Sequence, residues 1–401
     1  MMFFDERKKM DNFVIRIWHE GNPGNILPMY LSALKMKEIL GFGKISHVDI
    51  SMFGINLPDV DLSLLKGGFH DEYHSNGKRY GYVPFHGLRK HIRNSDADFL
   101  SLEGLCQNIN NFPNRLHFDY DKHFPFSEKN TEGGGEGDLV INIRGGEILA
   151  GISPLYPMLP IEFYKFLEQK TGKNVIFCGQ LDDSIYMAEL KKAFPKATWR
   201  PSQGAALDFD FIRRSKHIVP CLSTFSWFAA WMSHATRIYF PVAGVLNPAQ
   251  HFYGNMLPIN DDRYEFYLFP IFDALSIENY REYLDPIKGM WFYISHKDLE
   301  KATENRSSKI DNYLLSMNID DVIDVYSEYK SEYDNWGVKG VINMYLREGF
   351  FKNIRTIKMD RSFYTRKYPL AALDISNGNF ENEFEHYVMK GQFQNYLRYS
   401  K

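Results

Sequence analysis

The sequence predicts an α/β protein: two Rossmann-like domains facing a cleft, followed by a helical C-terminal extension. Three observations carry this. Between residues 139 and 242, apolar β-branched runs alternate with helical stretches, the pattern of a parallel sheet wrapped by helices. Residues 13–53 open on a strand, a helix and a second strand, a βαβ unit of their own. The polar segment SEKNTEGGGEGD at 127–138 lies between the two and contains Gly133, Gly134 and Gly135, a composition suited to a linker. The expected division is therefore 1–126, a first α/β domain; 127–138, the linker; 139–285, a ligand-binding domain; and 286–401, the extension.

In the first region FVIRIW (13–18) reads as a strand and HEGNPGN (19–25) as a loop. ILPMYLSALKMKEIL (26–40) has helical periodicity, and ISHVDISMF (45–53) reads as the next strand. Residues 62–125 mix His, Gly, Tyr and Asn, with a short helical stretch near 97–110. Past the glycines, LVINI (139–143) is a strand and LPIEFYKFLEQKTG (159–172) a helix with a glycine stop. NVIFCG, SIYMAELKKAF, ATW, ALDFDFIRRS, HIVPC, STFSWFAAWMSHA and RIYFPV continue the alternation to residue 242. YREYLDPIKGMW (280–291) reads as a helix crossing back between domains, and 295–317 and 321–336 as polar helices.

Composition narrows the function classes. With 47 basic and 50 acidic residues the net charge is −3, which lacks the basic excess of a nucleic-acid binder. Cys106, Cys178 and Cys221 are far apart and odd in number, so they outline neither a metal site nor a disulfide framework. Buried thiols in a reducing cytoplasm are expected. The first residues, MMFFDERKKMDNF, hold no apolar run of signal length, and no window is long enough to span a bilayer. A cytoplasmic location follows as an expectation. Aromatics make up 16% of the chain, more than a typical core needs; exposed ones would suit sugar stacking, and an AT-biased genome rich in Tyr and Phe codons would give the same composition. Residues 352–367 are rich in Lys and Arg. They fit a solvated face, or a peripheral contact with a membrane or lipid-linked acceptor.

Two stretches carry the functional signal. In DFDFIRRSKHIVPCLSTFSWFAAW (208–231) a short buried strand delivers a Ser-Thr turn into a helix start. Free N–H groups and the helix dipole make such a turn an anion site, and Ser223 or Thr224 can cap the helix and contact a phosphate oxygen. An ordinary capped core helix has the same sequence pattern. In LVINIRGGE (139–147) an apolar strand releases Arg144, Gly145, Gly146 and Glu147 at its C-terminal end, where α/β sheets bind ligands. Arginine suits bidentate phosphate contact, though a turn with a surface cation reads the same way.

Together these segments resemble the bacterial α-1,2-fucosyltransferases, the family 11 glycosyltransferases. Asp208, Lys216-His217 and Ser223-Thr224-Phe225-Ser226-Trp227-Phe228-Ala229-Ala230-Trp231 match that family's D…KH…S-S/T-F-S-W-W-x-A-W pattern. Its upstream H-x-R-R-x-D falls on Asn142, Arg144, Gly145 and Glu147: the first arginine is kept, the histidine and second arginine are not. The resemblance is good over about 138–250 and faint at 13–40, where HEGNPGN stands for a glycine-rich first loop.

The resemblance implies the two-domain GT-B architecture and an inverting, metal-independent transfer of a sugar, L-fucose from GDP-fucose, to a glycan acceptor in surface polysaccharide synthesis. A different nucleotide sugar, or a non-catalytic glycan-binding module, are the alternatives. No cofactor is expected beyond the nucleotide-sugar substrate, and no metal. Arg144, the Ser223–Ser226 turn and the backbone N–H of Phe225 would neutralise the departing diphosphate. Glu147 is the candidate base; His19 and Glu20 are rivals on the first loop, whose Asn22 and Asn25 would face the acceptor. A carboxylate reading guanine would be Asp182, Asp183 or Asp208, each of which also suits a helix N-terminus.

Overall fold

The computed structural model describes residues 12–18, 21–65, 68–70, 83, 85–93, 95–115, 117–128, 132–146, 155–248, 250, 254–272, 280–302, 313, 314, 316–345, 349, 352, 354–394 and 396–400. The chain forms two compact units, Met1–Leu299 and Glu300–Lys401.

The first unit holds two parallel sheets. The smaller is built on β1 (Val14–Ile17), which pairs with β2 (Lys44–Ser46) on one side and with β6 (Phe99–Leu102) on the other. Beyond β6 lies β5 (Gly68–His70), also parallel. Helix α1 (Pro23–Leu40) follows β1. Proline at its start presets the helical φ, and Gly41 ends it in the left-handed region with its N–H on the Lys37 carbonyl. The expected strand 45–53 is broken. His47 takes φ +61, so Val48–Ile50 leaves the sheet as β3 and pairs antiparallel with β4 (Ile55–Leu57). The helical stretch expected near 97–110 is instead strand β6, all four of its residues buried, and a 3-10 turn at Ile109–Asn111.

The larger sheet has seven strands: β7 (Asp138–Arg144), β8 (Asn174–Gln180), β9 (Thr198–Pro201), β10 (His217–Val219), β11 (Arg237–Val242), β12 (Tyr264–Leu268) and β13 (Phe292–Ile294). Their order across the sheet is β9-β8-β7-β10-β11-β12-β13. Strands β7 to β12 are parallel and β13 closes the edge antiparallel. This is the doubly wound 3-2-1-4-5-6 order with one strand added. The interior of β7 is buried at every position from Leu139 to Ile143, as a central strand covered on both faces requires.

Four helices of this layer concern the site. They are α4 (Ile161–Thr171), α5 (Ile185–Ala193), α6 (Ala205–Arg214) and α7 (Thr224–Trp231). They follow α2 (Phe85–Arg93) and the one-turn α3 (Tyr120–His123) of the smaller layer. The aromatics of α7 go into the core rather than to solvent. Trp227 is fully buried, donates its indole N–H to the Met256 carbonyl at 2.6 Å, and packs with Phe228 and Trp231 around Phe112.

The glycines expected to form a loose linker are packed. The Gly134 N–H donates to Ser215 Oγ at 2.9 Å, and a Cβ on Gly133 would sit 2.6 Å from Arg214. Nor does the C-terminal region begin at 286. Residues 292–294 complete the large sheet as β13, and the second unit starts at Glu300. The stretch 280–291 forms α8 (Tyr280–Leu284) and a 3-10 turn, held to α5 by Tyr280 and Arg281 on Glu189.

The second unit is helical. Its described helices are α9 (Ile319–Val325), α10 (Ser327–Met344), α11 (Arg361–Lys367), α12 (Pro369–Ser376) and α13 (Glu383–Met389). Gly337 interrupts α10 with φ +63. No helix among the described residues is long and apolar enough to cross a membrane.

Candidate functional site

Strand order reverses between β7 and β10, so the connections leaving their C-terminal ends diverge and open a crevice there. Arg144 is the last residue of β7. The turn after it is pinned to β8: the Gly145 N–H donates to the Gln180 carbonyl at 3.1 Å, and the Gly146 N–H to Asp182 Oδ2 at 3.3 Å. A Cβ on Gly145 would come within 2.7 Å of that carbonyl, so a second arginine could not occupy this position without moving the turn. The candidate base Glu147 lies outside the described residues.

Asn142, standing where the resembling family has histidine, ties three strand ends together. Its Nδ2 donates to the Cys178 carbonyl at 3.2 Å, and its Oδ1 accepts from the Cys221 thiol at 3.0 Å. Burial pushes the Cys178 thiol up to about 12 and raises that of Cys221 against the charge of Arg144, so both remain thiols and neither is a nucleophile at neutral pH. This bond couples the end of β7 to the loop that leads from β10 into α7. Sequence reading missed it, because Asn142 and Cys221 look like two unrelated buried polar positions.

That loop is closed on itself. Ser223 is the N-cap and accepts from the Ser226 N–H at 3.4 Å, while Ser226 Oγ accepts from the Cys221 N–H at 3.1 Å. Thr224 differs. It is 5% exposed, and among the described residues its hydroxyl makes no hydrogen bond. Phe225 turns its ring onto Phe209 at 5.4 Å.

The positive end of α7 meets the positive end of α1. A Cβ on Gly24 would lie 2.8 Å from Thr224 Oγ1 and 2.9 Å from the Phe225 nitrogen, so this crossing admits only glycine. Neither helix has an acid in its first turn, and Asn22, the N-cap of α1, makes no side-chain cap bond. Pro28 has no N–H to give the Gly24 carbonyl. Two helix N-termini from two sheets thus converge, and neither carries a carboxylate in its own first turn.

Arg144 is half-buried and its guanidinium lies 5.5 Å from the Tyr156 ring. Burial raises the Tyr156 hydroxyl, with the Arg144 charge opposing it. Arg144, Tyr156, Leu159, Cys221 and Leu222 line one depression beside the loop. The site therefore joins one guanidinium to a helix start, an arrangement that neutralises a multiply charged oxyanion.

The remaining predicted residues are placed as follows. Asp208 is buried on α6 and engaged from several sides: it pairs with Arg200 at 3.2 Å and accepts from Ser202 Oγ and from the Gln203 N–H at 3.0 Å. Asp182 holds the turn after β7 and the Ser184 N–H, and Asp183 is exposed beside it. Asn22 is exposed, Asn25 half-buried next to Gly21, and His19 and Glu20 lie outside the described residues. The far end of α7 is closed by two arginines. Arg115 donates to the Trp231 carbonyl and, at 2.7 Å, to that of Ser233; Arg263 donates to the same two at 3.1 and 2.5 Å.

No protein-family model matches the chain, and no curated protein does. Among solved structures it is similar to the glycosyl transferase family 9 protein from Veillonella parvula DSM 2008, with 12% sequence identity and a TM-score of 0.35. That alignment covers 74% of this chain and 98% of the other.

Proposed function

We propose that the chain is a GT-B glycosyltransferase that binds a nucleotide sugar at the crevice between β7 and β10 and passes the sugar to a glycan acceptor. One observation carries the reading. The Asn142–Cys221 bond fixes the Arg144 strand end beside a helix start whose Thr224 hydroxyl makes no hydrogen bond among the described residues, and the first sheet's helix abuts it through Gly24.

In this reading Arg144, Thr224 and the first-turn N–H groups of α7 take up the charge of the departing diphosphate. Preorganised donors of this kind are worth about 2.7–4 kcal/mol each when removed. No metal is needed where they do this work. Because Gly24 closes over Thr224, donor entry requires the two helix ends to part and product release to let them meet again. Glu147 takes the acceptor proton, with His19 and Glu20 as rivals. The donor is GDP-fucose and the transfer inverts. The motif of 208–231 supports this donor, and the lost second arginine leaves room for another nucleotide sugar.

Thermal-shift screening against GDP, UDP, CMP and dTDP tests the donor. A nucleotide at a hundred times its Kd stabilises by about 2.7 kcal/mol. Stabilisation by GDP alone is the expected result. Stabilisation by another nucleotide would replace fucose in the proposal, and stabilisation by none would remove the donor site. Transfer should also survive EDTA; activity lost on chelation and restored by Mg²⁺ or Mn²⁺ would overturn the metal-independent step.

A further inference from the structure

The second unit contains a cavity of about 280 Å³ whose lining divides by chemistry. Arg355, Lys358 and Arg361 line it with Tyr326, while Ile357 and Phe384, both part of the unit's small apolar core, supply a non-polar surface. Asp321 is the acid of the lining, and its carboxylate is already directed elsewhere: Oδ2 accepts from the Lys358 N–H at 2.9 Å and from Arg398 at 2.8 Å.

The three cations are not equivalent. Lys358 is paired with Asp324 at 2.5 Å and Arg361 with Glu383 at 2.6 Å, exposed pairs that another anion can share. Among the described residues the Arg355 guanidinium has no partner, although its backbone N–H is held by the Tyr326 hydroxyl at 3.2 Å. The chain bends at Thr356 and Ile357, between Arg355 and Lys358, and Arg361 opens α11. Arg355, Lys358 and Arg361 are exposed while Ile357 is buried, so the cations stand at the rim and the apolar side chain beneath.

We propose that this cavity binds a phosphate group carried on an apolar body, with Arg355, Lys358 and Arg361 on the phosphate and Ile357 and Phe384 under the apolar part. A lipid phosphate and a free phosphate share the anionic chemistry; the apolar surface favours the first. The inference does not depend on the donor-site reading, since it concerns other residues and another ligand.

Calorimetric titration of the full chain tests it with three probes: dihexanoyl phosphatidate below its micelle concentration, inorganic pyrophosphate, and dihexanoyl phosphatidylcholine. Phosphatidate should bind about tenfold tighter than pyrophosphate, and the neutral-headed lipid should not compete. Arg355→Ala should weaken phosphatidate about tenfold, the loss of one charge-assisted contact. Lys301→Ala, at an exposed position away from the cavity, should change nothing. Among the described residues Arg355 holds no other side chain, and circular dichroism checks that its variant is folded. Equal affinity for pyrophosphate and phosphatidate would overturn the apolar half of the proposal. Equal affinity for the two lipids, or an Arg355→Ala chain that binds as tightly as the parent, would overturn it entirely.

Discussion

The two ends of α7 are built on opposite principles. At its C-terminal end Arg115 and Arg263 reach the Trp231 and Ser233 carbonyls, and Asp261 holds Arg263 in place at 2.7–2.9 Å. At its N-terminal end the first turn holds no acid, the Thr224 hydroxyl makes no hydrogen bond among the described residues, and a second helix start approaches through Gly24. A buried helix must have both ends satisfied. Where the chain supplies the partners itself, the end is structural. Where the chain supplies only the Ser223 cap, the remaining partner is on our reading a diphosphate.

The largest effect should come from the residue facing the open end. Arg144→Ala is expected to lower transfer about 10²–10³-fold with little change in Tm, because Arg144 stands at a strand end and not in the core. Near-normal turnover would move the site elsewhere. At the closed end the pattern reverses: Arg263→Ala should cost about 1.5–3 kcal/mol of stability, the loss of hydrogen bonds from a charged donor, while donor affinity stays put. Denaturant unfolding separates the two outcomes.

Gly24→Ala should fall between them. The added methyl meets Thr224 Oγ1 and the Phe225 nitrogen, so the helix ends must separate at about 1–3 kcal/mol, and stability and donor affinity should drop together. A fully stable Gly24→Ala chain would mean that the two helix starts do not touch in solution. The smallest effect is acid sensitivity at the closed end. Burial pushes the Asp261 carboxyl up, but the hydrogen bonds and charge of Arg263 outweigh it and hold it below the usual aspartate value. Its contribution is thus complete above the ordinary pKa of 3.8 and lost as pH falls below that through the lowered one. Arg263→Ala should flatten this part of the acid-unfolding curve.

The legible parts of the site were local ones. LVINI and HIVPC read as strands because they are short apolar runs between breakers, and Ser223 read as a cap because it precedes a helical run. What joins them was not legible. Asn142 and Cys221 stand 79 residues apart, and nothing in either neighbourhood announces a bond that needs β7 and β10 side by side. Gly24 looked like one more loop glycine. Only the packing of α1 on α7 shows that the absence of a side chain there is required.

Elements were misread where the local signal was short or wrong-handed. Phe99–Leu102 is buried at all four positions and so shows no period. His47 breaks a strand in a conformation usually marked by glycine. Phe292–Ile294 has three residues, two of them exposed, and joins the sheet only because β12 offers an edge.

The contrast between the two ends of α7 is tested most directly by titrating GDP into the parent chain, Thr224→Ala and Arg263→Ala. Thr224→Ala is expected to lose about 1.5–3 kcal/mol of binding, roughly 10–150-fold in Kd, while remaining as stable as the parent. Arg263→Ala should bind GDP normally and unfold earlier. A Thr224→Ala chain that binds GDP as tightly as the parent would contradict the claim that this helix start is left open for a diphosphate.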